Sequence, residues 1–118
     1  MKRTISDFEV EFQKMKPLVI ERSKGICEAA EFVRSLMRQS DGGALIVITL
    51  AAESMMQHHR CAGRVMHVHH RKYRSRGGGN SLDNLLGLCE PCHYWAHSES
   101  VMSNLLGITL HTNQSEEL

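Results

Sequence analysis

A small α+β domain is the fold this sequence predicts, and three observations carry it. Val65 to Arg71 alternates, so His67 and His69 share one face of a strand while Met66, Val68 and His70 share the other. Leu85 to Cys89 is a short apolar run, a second strand. Glu90-Pro91 follows it directly and reads as a helix start, with proline at the first helical position. The expected core is a two-stranded antiparallel hairpin and a helix, with flanking helices before and after. At 118 residues the chain reads as one domain, 1–118, whose core is modest enough for a metal or disulfide staple to matter.

The flanking elements follow in order. Ser6-Asp7-Phe8-Glu9 fits a capping box that opens an N-terminal helix within 1–26. Phe8, Phe12, Met15 and Val19 recur at helical spacing and read as a packing stripe. Pro17 falls inside the pattern, so the helix is expected to end or kink near Lys16. Glu28 to Gln39 is a second helix with Phe32, Val33, Leu36 and Met37 on one side, and Ser40 to Gly43 is a turn. Ala44 to Ala52 fits a buried strand or a buried helix; periodicity does not decide. Lys72 to Asn80, with Gly77-Gly78-Gly79, is loop. Val101 to Leu106 is a last helix ended by Gly107, Ile108 to His111 a closing strand, and Thr112 to Leu118 a frayed tail.

The net charge of +1 hides an uneven distribution. Ser54 to Leu82 contains no Asp or Glu but holds Arg60, Arg64, Arg71, Lys72, Arg74 and Arg76. Such a block points to a polyanion, and Arg71, Lys72, Arg74 and Arg76 are the candidate DNA contacts. The N-terminus lacks the apolar segment of a signal peptide, and the longest apolar run is too short to span a bilayer. A protein of the cytoplasm without a membrane partner is expected, which favours zinc over disulfides for the four cysteines.

Cys89-Glu90-Pro91-Cys92 has the spacing of a metal knuckle, and tetrahedral zinc needs two more ligands. Cys61 and Cys27 are the remaining cysteines; His58, His59 or no residue are the alternatives for the fourth position. His93 and His97 lie four apart, on one face of the expected helix. His58 and His59 read as exposed or linker residues, His67 as a neighbour without catalytic duty, and His111 lies outside any constellation. Tyr94 and Trp95 read as packing residues.

The ordered set His69-His70, GGGNSLDNL with Asn84, LCEPCH with His93, and His97 resembles the HNH endonucleases, the ββα-metal nucleases. In particular it is similar to small phage and prophage members with a four-cysteine zinc site. The resemblance covers residues 61–97 closely and Cys27 more loosely. It implies a treble-clef-like ββα-metal core at 61–98, an extension at 99–118, and DNA hydrolysis in a bacterial host cell. His70 matches the general base and Asn84 the residue that pins the long loop and orients that base. His69 and His93 match ligands of a catalytic divalent ion (Mg2+, Mn2+, Ni2+ or Zn2+), and His97 a further ligand or phosphate contact. Cys27, Cys61, Cys89 and Cys92 match the structural zinc ligands. Phage relatives place their first two cysteines close together. Here residues 28–60 intervene, either as an insertion or because Cys27 is not a ligand. Such proteins often work beside the phage terminase in DNA processing or packaging. The competing functions are a non-catalytic, zinc-dependent DNA-binding module and a packaging adaptor.

Overall fold

The structure is a computed structural model that describes residues 5–110. Helices α1 (Ile5–Ser23), α2 (Ala29–Arg38) and α3 (Gly42–His58) precede strand β1 (His67–His70). Strand β2 (Leu85–Leu88), helix α4 (Glu90–Ser98) and helix α5 (Ser100–Leu105) follow. β1 and β2 pair antiparallel, with His67 opposite Leu88 and His70 opposite Leu85. The expected α+β class is met: a two-stranded sheet and a helix, flanked by further helices.

β2 is buried along its whole length and joins Trp95, Ala96, Leu106 and Ile108 in the centre of the molecule. α4 begins as expected, with Cys89 as its cap and a proline in the first turn. The stretch 44–52, undecided between strand and helix, lies within α3. Ile48, Ala51, Ala52 and Met55 form its buried face at helical spacing. Ile46, Val47 and Leu50 are exposed on the same helix, which is why its hydrophobic period was ambiguous.

Three expectations fail. α1 runs through Pro17 instead of ending near Lys16. The missing N–H costs a bond, but the C-terminal half is anchored from outside the helix. Val19 is fully buried, and Arg22 holds Glu28 through two nitrogens at 2.7 and 2.8 Å while donating to the carbonyls of Leu82 and Leu85. Glu28 in turn accepts the N–H of Gly87 at 2.8 Å. A Cβ at Gly87 would sit 3.0 Å from Val65 and 3.3 Å from Val19, so this close approach of α1 to β2 needs glycine. Second, α1 already includes Ser6 rather than starting after it. Third, residues 108–110 form no strand; one parallel bridge joins Leu110 to Lys72. That segment is spent on side-chain contacts with β1, described below. The expectations for His111 and for the tail lie outside the described residues. No described helix is long and apolar enough to cross a membrane.

Candidate metal centres

α2 and α3 carry the chain away from Cys27 and bring it back at Cys61, so all four cysteines converge. Their sulfurs lie within 4.8 Å of one another. Cys61 and Cys89 sulfurs are 3.7 Å apart, too far for a disulfide. Two thiolates about 2.3 Å from one tetrahedral zinc sit roughly 3.8 Å apart, so the spacing fits that ion. Backbone N–H groups of Ala62 and Cys92 point at the Cys89 sulfur at 3.3 and 3.4 Å, as suits a thiolate. The hydrogen bond from Cys92 holds Cys27 down to about 5, and the same bond, with burial, pushes the Cys92 thiol up. A bound ion would displace the thiol protons that remain. Cys27, whose distance in sequence from Cys61 is no knuckle spacing, lies within the cluster.

His59 departs from its expected place as an exposed linker residue. Its Nε2 is 3.2 Å from the Cys92 sulfur, and its Nδ1 is buried without a partner. Burial first, then the charge of His58, lowers its pKa and favours the neutral ring beside that sulfur.

On the other side of α4, His69, His93 and His97 offer ring nitrogens within 4.8 Å of one another. The Nε2 atoms of His93 and His97 are 3.0 Å apart. Two nitrogens each about 2.0 Å from one tetrahedral ion would be roughly 3.3 Å apart, close to this value. His69 is 2 % exposed, and its Nε2–H donates to the Ile108 carbonyl at 3.1 Å. A carbonyl can only accept, so Nδ1 is the nitrogen of His69 left to ligate. Burial and the neighbouring imidazoles push His69 down to about 3 and His93 to about 4, and His97 is lowered for the same first reason. All three rings are thus neutral lone-pair donors at ordinary pH. Tyr73, which the sequence did not single out, stacks on His97 and places its hydroxyl 3.1 Å from Nδ1. His67 shares the face of His69, as the alternation predicted, and stacks on His93 at 4.5 Å.

His70 occupies the opposite face of β1. It lies between the rings of Phe8 and Phe12 at 5.7 and 4.6 Å, and its Nε2 meets the Asn80 side-chain oxygen at 2.8 Å. Asn84 is fully buried. It accepts the Lys72 N–H at 2.7 Å and donates to the carbonyls of Lys72 and Gly79 at 3.0 and 2.8 Å. It thereby joins both ends of the glycine loop. Gly78 sits in the same knot, where a Cβ would fall 1.7 Å from the Lys72 oxygen.

The basic residues divide. Arg74 and Arg76 are exposed and Lys72 is half-buried. Arg71 is placed differently from the solvent-facing contact expected of it. It is 7 % exposed, donates to the carbonyls of Gly107 and Asp83, and stacks on Phe32. Its guanidinium ties the loop to the segment after α5. Trp95 is core, as expected, whereas Tyr94 is 69 % exposed instead of packed. The places of Asn80, Phe8 and Phe12 against His70 were missed. The only available signal was the helical recurrence of the two phenylalanines, which reads equally as ordinary packing.

A two-stranded antiparallel hairpin, a helix, four gathered cysteines and three gathered histidines define a small ββα-type metal domain. The family model for HNH endonuclease matches residues 57–99, which contain β1, β2, α4 and three of the four cysteines. Segment 57–99 is thus similar to HNH endonucleases, a likeness that supports a nuclease-type function in general, with DNA as the implied substrate. No curated protein and no solved structure matches the chain.

Proposed function

We propose that the chain is a metal-dependent endonuclease that hydrolyses DNA phosphodiester bonds. The observation that carries this reading is the convergence of His69, His93 and His97 as neutral imidazoles, with His70 next to His69 in sequence on the other face of β1. A divalent ion held by those three residues, when bound, supplies a Lewis acid for the phosphoryl and leaving oxygens. Three protein ligands leave positions open for substrate, unlike the closed cysteine set, which we assign to structural zinc. His70 accepts the proton of the attacking water. Asn84 holds the loop that follows His70 in place. Lys72, Arg74 and Arg76 contact backbone phosphates without reading sequence; Arg71 has no part in this. We assign residues 28–60 to an α-helical insertion that returns Cys61 to the zinc. A role in phage DNA processing rests on the sequence resemblance alone.

Plasmid cleavage tests the proposal. The purified chain is expected to nick or linearise plasmid with at least one of Mg2+, Mn2+, Ni2+ or Zn2+, and His70→Ala to lose about 100-fold or more. Equal cleavage by the parent and His70→Ala would remove His70 as the base. DNA retention in a gel without cleavage under any metal would instead identify a zinc-dependent binding module.

A further inference from the structure

We infer that Asn80, braced by Glu11 of α1, is the positioning residue that fixes which nitrogen of His70 carries the proton. This rests on the proposal that His70 is the base. Asn80 is 5 % exposed, and its side-chain amide is committed on both ends. Its Nδ2 donates to the Glu11 carboxylate at 2.9 Å and lies 3.2 Å from the Phe8 carbonyl. Both partners can only accept, so the amide nitrogen must face α1. The amide oxygen then faces His70, 2.8 Å from its Nε2. An amide oxygen cannot donate, so Nε2 of His70 must carry the hydrogen. The lone pair is left on Nδ1, the nitrogen that takes the proton of water.

The orientation of the ring is fixed by the same helix. Phe8 and Phe12, one turn apart on α1, flank the imidazole. Glu11 lies between them in sequence and reaches Asn80. α1 lies outside the matched segment 57–99, yet it supplies two walls of the base and the anchor of its partner. The sequence reading of α1 as a packing helix is therefore incomplete: it belongs to the site.

The test is tautomer-specific NMR on the zinc-loaded full chain with 15N-labelled histidine, at about pH 8. His70→Gln identifies the His70 signals by their disappearance. In the parent, His70 is expected as the Nε2–H tautomer. Asn80→Ala is expected to give a mixture of both tautomers and to cut plasmid roughly 10–100-fold more slowly, the usual loss for an outer-shell partner. Asn80→Asp places a carboxylate against Glu11 and should disturb the helix contact. Combining it with Glu11→Gln restores an acceptor to His70 and an amide donor opposite, and should recover both the tautomer and most of the rate. A merely structural bridge has no reason to show that paired rescue.

An Nδ1–H or mixed tautomer in the parent would overturn the inference. So would an unchanged tautomer in Asn80→Ala. If Asn80→Ala does not fold, the parent spectrum and the double variant still decide. If the parent shows the Nε2–H tautomer, lost in Asn80→Ala, but cuts no DNA, the nuclease proposal fails while the assignment of Asn80 stands.

Discussion

Replacing Asn84 with alanine removes a side chain that closes the glycine loop on itself. Three hydrogen bonds vanish at once, at 2.7, 2.8 and 3.0 Å. Each is worth about 1 kcal/mol net, which alone gives about 3 kcal/mol. The Lys72 N–H and the Lys72 and Gly79 carbonyls also lose their shared partner at a residue with no exposure. Partial entry of water into the vacated space limits the further penalty, so the expected loss is about 3–5 kcal/mol. That is a large part of the roughly 5–15 kcal/mol available to a domain. Asn84→Asp sharpens the test: it keeps the acceptor for Lys72 but turns a carboxylate oxygen toward two carbonyls. It should be no more stable than Asn84→Ala despite its nearly identical shape. Urea denaturation at one fixed free zinc concentration measures both, since ligand linkage otherwise shifts the midpoint. A loss below about 0.5 kcal/mol for Asn84→Ala, or a clearly more stable Asn84→Asp, would refute the reasoning.

Three other outcomes follow from the geometry. Cys27→Ser should release the structural zinc as completely as Cys89→Ser, despite the long separation of Cys27 from the other cysteines; elemental analysis and the melting temperature of the purified variants decide this. Arg71→Ala should lower stability by about 1–3 kcal/mol and leave the salt dependence of DNA binding unchanged. Arg74→Ala removes an exposed cation–π contact with Phe8 at 4.4 Å, so it should cost no more than about 1 kcal/mol, and it should reduce the salt slope by about 1. The third concerns acid. Without an ion on the histidines, His93 titrates at about 4, held down by burial and then by His97, against about 6.5 unfolded. The unfolded chain therefore binds more protons across that window, and stability falls as pH drops from about 6.5 to about 4. His93→Gln should abolish a share of this slope, which solvent screening of the half-exposed ring reduces to on the order of 2 kcal/mol or less, seen as a shallower pH dependence of the urea midpoint. Parallel slopes for parent and variant would contradict the burial assigned to His93.

What the sequence showed well was local. Strand alternation placed His67 and His69 on one face and His70 on the other, because a strand's two-residue period leaves no choice. Pro91 marked the start of α4, and the four-residue step from His93 to His97 brought their rings together. Contacts made across long loops were harder to read. Cys27 reaches the other cysteines only because α2 and α3 pack as a hairpin, which spacing rules do not encode. α1 continues past Pro17 because Arg22 and Val19 are held by residues far along the chain. His59 beside Cys92 and Asn80 beside His70 are likewise tertiary facts. Arg71 was misplaced for a different reason: charge alone cannot separate a phosphate contact from a guanidinium that satisfies buried carbonyls.

Cys92 and His93 are consecutive residues on one nine-residue helix, so the two clusters share a single rigid rod. Filling them would be hierarchical. Zinc bound by the cysteines would fix the start of α4 and so hold His93 and His97 where a second ion could use them. The weaker, open histidine site would empty first under mild chelation and refill readily. Stripping the cysteines would dismantle both sites together. Titrating a chelator against the loaded chain should therefore give two separated losses, a reversible one of activity and a later one of structure.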